Sequence, residues 1–174
     1  RLDFFVNQKP GNAPVASSEL QVEHTKLMHV IGVRDDLNEF FHIHPQAATS
    51  TGIFSVDHVF ENPGTYKVWS EIKKDGVNHS FGHPTFQVVG PARVSHKQVS
   101  FTRDAVAGNF RVSLIFNEPV VKNHAHNLAF DIHTASGEGV GLDDYLGAKM
   151  HLTVIKDDLK QFIHTHPENG DGHV

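Results

Sequence analysis

Two stretches of the 174-residue chain place histidine where it can do metal chemistry. Residues 28–45 read MHVIGVRDDLNEFFHIHP and residues 150–167 read MHLTVIKDDLKQFIHTHP. In each, one histidine (His29, His151) stands 13 residues before the first histidine of an H-x-H-P run (His42 and His44; His164 and His166). Imidazole suits zinc, copper and nickel, and three imidazoles in one pocket are a common ligand set for such ions. A lone H-x-H says little. The same set twice, with nine of eighteen positions identical at a constant offset of 122, says much more. Duplication is the economical account. The competing reading is that the histidines are surface features or hydrogen-bond partners carried along by the duplication.

Two further histidines are candidate ligands of the first copy. His24 lies five residues before His29, while Tyr145–Ala148 fills the matching stretch of the second copy, so the two sites are expected to differ. His83 follows a turn at Lys74-Asp75-Gly76, and Pro84 beside it marks a strand edge or bulge. It is a candidate to complete the first site, with plain solvent exposure as the alternative. The remaining histidines show no repeating geometry, and His124-Ala125-His126 reads as a loop chelator at most. Cysteine is absent, which removes disulfides and thiolate ligands, and methionine is limited to Met28 and Met150. Soft Cu(I) is therefore a poorer match than Cu(II) or Zn(II).

Something must bring these rings together, and the patterning points to paired strands. If each hairpin is centred within its Asp-Asp pair, His29 faces His42, Ile31 faces Phe40, and His44 lies one diagonal step away. Residues two apart on a strand share a face, as do directly paired residues. This puts His29, His42 and His44 on one side and Met28, Val30, Phe41 and Ile43 on the other. His151, His164 and His166 follow the same rule. A slip of one residue would scatter the rings. Short carboxylates at the bend cap turn amides.

Alternation of period two recurs over Tyr66–Ile72, Phe110–Phe116 and Leu128–Thr134. Asn62-Pro63-Gly64 reads as a hairpin turn between strands 56–60 and 65–73, and Lys74-Asp75-Gly76 as another, leading into a strand over 79–88. Phenylalanines at strand-like positions, among them Phe4, Phe40, Phe54, Phe101 and Phe162, are expected in the core. The expected fold is all-β with little helix. It consists of two tandem related antiparallel β-sandwich domains, Ig-like or cupredoxin-like, over 1–90 and 91–174, divided at Gly90-Pro91. The repeat continues upstream at offset 126 (Leu2/Leu128, Phe4/Phe130, Val6/Ile132). It is out of phase with the chain ends: strands are expected to be missing before the first copy and after the second. A longer parent chain, an oligomer or another chain would then complete the sheets.

Composition narrows the partners. Fifteen Lys+Arg against 20 Asp+Glu give a formal charge of −5. Without a basic cluster, nucleic acid is not an expected partner. No apolar run is long enough for a spanning helix, so membrane insertion is not expected. The chain begins at Arg1, and a processed or trimmed chain is the expectation.

The run HTKLMHVIGVRDDLNEFFHIHP (residues 24–45), followed by TGIFSVDHVFENPGTYKVWSEI, resembles a His-rich β-sandwich domain of bacterial secreted and periplasmic proteins associated with heavy-metal or copper handling. LDDYLGAKMHLTVIKDDLKQFIHTHP (residues 142–167) resembles a second form of it. The resemblance implies a periplasmic or secreted location and transition-metal binding at His24, His29, His42 and His44 and at His151, His164 and His166. The expected function is a copper or zinc carrier, buffer or sensor. Two alternatives stand beside it: a structural or adhesive Ig-like tandem with incidental histidines, and a zinc hydrolase or lyase. No H-E-x-x-H, G-x-S-x-G or phosphate-binding glycine loop supports catalysis, so an enzyme is not expected.

Overall fold

The computed structural model describes residues 1–48, 51–91, 97, 100–116 and 119–167. Among them the fold is all-β, the one helical element being a 3-10 turn at Ser17–Glu19. The chain divides into two units, Arg1–Gln98 with Ile155–Phe162, and Val99–Val154 with Ile163–Val174. The division thus falls eight residues beyond Gly90-Pro91.

In the first unit the longest strand, Gly64–Lys74, is the hub of a six-stranded antiparallel sheet. Met28–Arg34 lies along one edge of it and carries Phe40–Ile43 on its far side, while Val77–Gly82 and Phe86–Val88 pair along the other edge. The break at His83–Thr85 between those last two strands is where Pro84 removes a ladder donor. Asp75 and Gly76 both have positive φ, 51° and 77°, as the two-residue turn requires. A second, three-stranded sheet holds Leu2–Phe5, Ile53–Val56 and Gln46–Ala47. The expected hairpin across Asn62-Pro63-Gly64 does not form. Ile53–Val56 pairs with Leu2–Phe5 in the second sheet, and 57–60 is not strand, so this stretch crosses between sheets.

The period-two rule decides what the sheets bury. Met28, Val30, Tyr66, Val68 and Ile72 on the large sheet meet Phe4 and Phe54 of the small one in a single core. Phe40 and Phe101 are not in it: they are 52% and 95% exposed. Phe40 shares the histidine face of its strand. Gly32 sits directly opposite Phe41, whose ring fills the space a side chain would take; an added Cβ would lie 2.0 Å from the ring edge.

In the second unit Phe110–Ile115 pairs with Asp104–Ala107 on one side and with Ala129–Thr134 on the other. Leu152–Ile155 and Phe162–Thr165, whose inner ends Ile155 and Phe162 the division counts with the first unit, form a separate two-stranded sheet. None of the described residues beyond 99 is fully buried. The counterpart of Leu2–Phe5 takes a different partner here: Phe4 pairs with Phe54, downstream, whereas Phe130 pairs with Leu114, upstream.

Both Asp-Asp turns have one design. Leu37 and Leu159 take left-handed φ of 63° and 58°. Their amides donate to the carbonyls of Arg34 and Lys156, both at 2.8 Å, and those residues' amides donate to Glu39 and Gln161. Asp36 and Asp158 accept from the amides two residues on, at 3.1 and 3.0 Å. In the first turn Asp36 is buried and takes a bidentate pair of bonds from Arg34, at 2.9 and 2.8 Å. Burial pushes the Asp36 carboxyl up, but the Arg34 and Asn38 bonds together outweigh this and hold it below the ordinary carboxylate range.

Two outcomes follow. Gly32→Ala is expected to cost about 1–3 kcal/mol of unfolding free energy in a urea titration, since the Phe41 ring must leave its rotamer. Asp36→Asn is expected to cost about 3 kcal/mol at pH 7, because the buried Arg34 loses its bidentate carboxylate and keeps only the longer contact with Glu39 at 3.7 Å. A depressed folded pKa stabilises above the unfolded value near 4 and ceases to do so as pH falls through it. Acid-unfolding curves of parent and variant should therefore converge once pH has fallen past the lowered folded-state pKa of Asp36.

Candidate metal centre

The first centre is built from a turn, a strand and a strand end. Glu23 and Lys26 exchange backbone hydrogen bonds of 2.9 and 3.0 Å across a turn in which His24 and Thr25 both have positive φ, 44° and 66°. This aims the Glu23 carbonyl back at the following strand, where it lies 2.9 Å from Nε2 of His29. A carbonyl oxygen can only accept, so Nε2 carries the proton and Nδ1 keeps its lone pair. That Nδ1 points at Nε2 of His42, 3.2 Å away. One nitrogen from each of His29, His42 and His44 lies within 4.8 Å of the other two. Ring centroids are 5.4 Å apart for His29–His42, 4.9 Å for His29–His44 and 4.6 Å for His42–His44. His29 is 4% exposed, and the other two rings are half-buried.

The hairpin register differs from the expected one by two residues. Ile31 pairs with His42 and Val33 with Phe40, which sets His29 opposite His44 rather than His42. The hairpin centre lies after Asp36, because the left-handed Leu37 extends the turn. An even shift preserves the face of every side chain, so the three rings still converge.

The second copy repeats this turn and its carbonyl contact 122 residues on. Tyr145 and Ala148 exchange bonds of 2.9 and 3.2 Å across Leu146 and Gly147, both with positive φ. The Tyr145 carbonyl lies 2.8 Å from Nε2 of His151, so this ring is also held as the Nε2–H tautomer. Its Nδ1 lies 2.8 Å from Nε2 of His166, a shorter approach than in the first centre and to the other member of the H-x-H pair. Centroid separations are 5.8 Å for His151–His164, 4.4 Å for His151–His166 and 4.6 Å for His164–His166.

His24 stands beside the first triad, with its ring centroid 6.5 Å from that of His29 and its Nε2 3.7 Å from the Glu23 carboxylate. It is also a turn residue, and Leu146 holds the matching position of the second copy. Glu23 itself pairs with Lys73 at 2.5 Å, which pulls its carboxyl below the ordinary range. His83 is not part of the centre. Its Nε2 lies 2.8 Å from Oγ of Ser70, which pairs with Val30 on the core face, opposite the face that bears His29. His58 packs among Phe41 and Phe60, where burial lowers its pKa. His133 binds Asp131 at 2.7 Å. His96 and His173 lie outside the described residues.

The carbonyls of Glu23 and Tyr145 had escaped sequence reasoning, although the alignment of His24-Thr25 with Leu146-Gly147 held a clue, since glycine favours left-handed turns. Glu71, directly paired with His29, was also missed: it comes from a strand distant in sequence.

A tetrahedral ion with metal–nitrogen bonds of about 2.0–2.1 Å sets its ligand nitrogens roughly 3.3 Å apart. The 3.2 Å between His29 and His42 is close to that spacing. In both copies the Nδ1 that faces a second imidazole has a carbonyl partner on the opposite ring nitrogen, the kind of contact that histidine ligands make in metal sites.

Comparison with curated proteins and with solved structures finds no match. A family model matches residues 1–89 and 104–174, two segments that contain one triad each, and the chain belongs to that family, described as Domain of unknown function (DUF8832).

Proposed function

We propose that the chain is a transition-metal binding protein that takes Cu(II) or Zn(II) at two three-histidine centres. It acts as a carrier, buffer or sensor in the periplasm or outside the cell. The observation that carries this reading is the paired tautomer lock: in both copies a backbone carbonyl fixes the first histidine as Nε2–H and leaves its Nδ1 lone pair aimed at a second imidazole. A hydrogen bond alone would satisfy one such contact. Its repetition, with the turn that produces it, matches what metal ligation requires of a histidine. The ligand set is neutral and free of sulfur, which favours divalent zinc or copper over Cu(I). We assign the two units to related β-sandwich domains of Ig-like or cupredoxin-like type, with another chain or a longer parent completing the second. Binding rather than catalysis is the reading, because no acid or base is aimed into either triad by a motif.

Calorimetry on metal-stripped, tag-free protein at pH 7.5 should give two ions per chain. His29→Ala/His42→Ala and His151→Ala/His166→Ala should each leave one, and His83→Ala should leave both. Binding weaker than micromolar at both centres would defeat the proposal. Protons compete for every imidazole nitrogen, so affinity should fall more than tenfold between pH 7.5 and pH 5.5.

Thr25→Pro forces a negative φ where the turn needs a positive one. It should swing the Glu23 carbonyl away and weaken the first centre by about 10–100-fold with all three ligands present. Titrating this variant in a background that lacks the second triad isolates the effect.

A further inference from the structure

The core-facing row of the hub strand reads Tyr66, Val68, Ser70, Ile72, and Ser70 breaks it: a polar side chain only 4% exposed among apolar neighbours. Burying a hydroxyl costs free energy unless it is bonded, and here the partner is a second polar group, Nε2 of His83 at 2.8 Å. Burial and then the nearby Lys67 push the His83 pKa down, so its ring is neutral at pH 7. Breaks in an otherwise consistent pattern are where functional sites are expected. This one lies on the wall of a cavity of about 360 Å³ in the first unit, on the sheet face opposite the histidine triad.

Phe4, Met28 and Ile72 provide the buried apolar wall. Phe5 and Phe81, 68% and 48% exposed, stand at the rim, an unusual display of aromatic surface. Lys9 is also on the wall, in contact with the Asn12 side-chain carbonyl. Of the cavity's titratable residues both, Lys9 and His83, are basic; no carboxylate lines it. A neighbouring cavity of about 420 Å³ shares Lys9 and Phe81, and its Lys74 and Asp75 neutralise each other at 2.9 Å. The volume and the mostly apolar lining with a few polar groups are those of a small-ligand pocket.

We propose that this cavity binds a small aromatic carboxylate bearing a hydrogen-bonding group at its far end. The ring lies between Phe4, Phe81 and Met28, the carboxylate pairs with Lys9, and the far-end hydroxyl joins the Ser70–His83 pair. Phe5 covers the entrance. The Lys9 ammonium selects an anion, and the buried Ser70–His83 pair selects a donor-acceptor group over a bare hydrocarbon. The site shares no residue with the metal triad, so neither proposal depends on the other.

The test is a two-dimensional NMR titration of the full chain with 4-hydroxyphenylacetate, phenylacetate and 4-hydroxyphenylethanol. The hydroxylated acid should bind with Kd below about 1 mM, a reasonable strength for eleven non-hydrogen atoms, and shift the amides of Phe4, Phe5, Asn7, Lys9, Ser70 and His83. Loss of either polar end should weaken binding about tenfold, the worth of one charged or buried hydrogen bond. Lys9→Gln should erase the preference for the acid. Ser70→Ala should erase the preference for the hydroxyl, and the exposed wall change Asn7→Trp should block all three ligands if the Ser70 variant fails to fold. Equal binding of the three ligands, shifts confined to other residues, or no shifts at millimolar ligand would each overturn the proposal.

Discussion

One contact organises each centre: the hydrogen bond from a histidine Nε2 to the carbonyl of a residue six positions earlier, His29 to Glu23 and His151 to Tyr145. Without it an imidazole can present either nitrogen and rotate about two torsions. With it, the tautomer, the ring plane and the direction of the lone pair are set together. The rest of the local structure serves that contact. A left-handed two-residue turn points the carbonyl backwards, and the strand that follows carries the ring to the sheet. The return strand then delivers the H-x-H pair to the same face.

The two copies use this device in unequal settings. The first is embedded in a six-stranded sheet, with His29 on a strand that is buried along its length and beside Glu71 of the hub strand. Its Asp turn is pinned by the buried Arg34–Asp36 pair, whereas Lys156 and Asp158 of the second turn are 49% and 35% exposed. A site whose supports are buried holds its geometry before the ligand arrives, and preorganisation of this kind strengthens binding.

Much of this was legible from residues alone, because strand periodicity is a matter of parity. The faces of Met28, His29, Val30, Phe41 and His42 follow from alternation, and survive a register that differs by two. The register itself was not legible: Leu37 in a left-handed conformation is an outcome of the turn's hydrogen bonds, and leucine carries no preference that announces it. Ile53–Val56 likewise pairs with a strand about fifty residues away, a long-range choice that local turn chemistry at Asn62-Pro63-Gly64 does not reveal. His83 resembled a ligand in sequence, since nothing local tells which sheet face will receive a histidine beside a proline.

The change of partner between Phe4–Phe54 and Phe130–Leu114 has a consequence for how such chains diversify. The repeated segment accepts a neighbour arriving from either direction along the polypeptide, so the inherited block and the folding block need not share endpoints. Gene rearrangements that cut between strands, rather than between whole domains, would then preserve the histidine hairpin while exchanging its flanks.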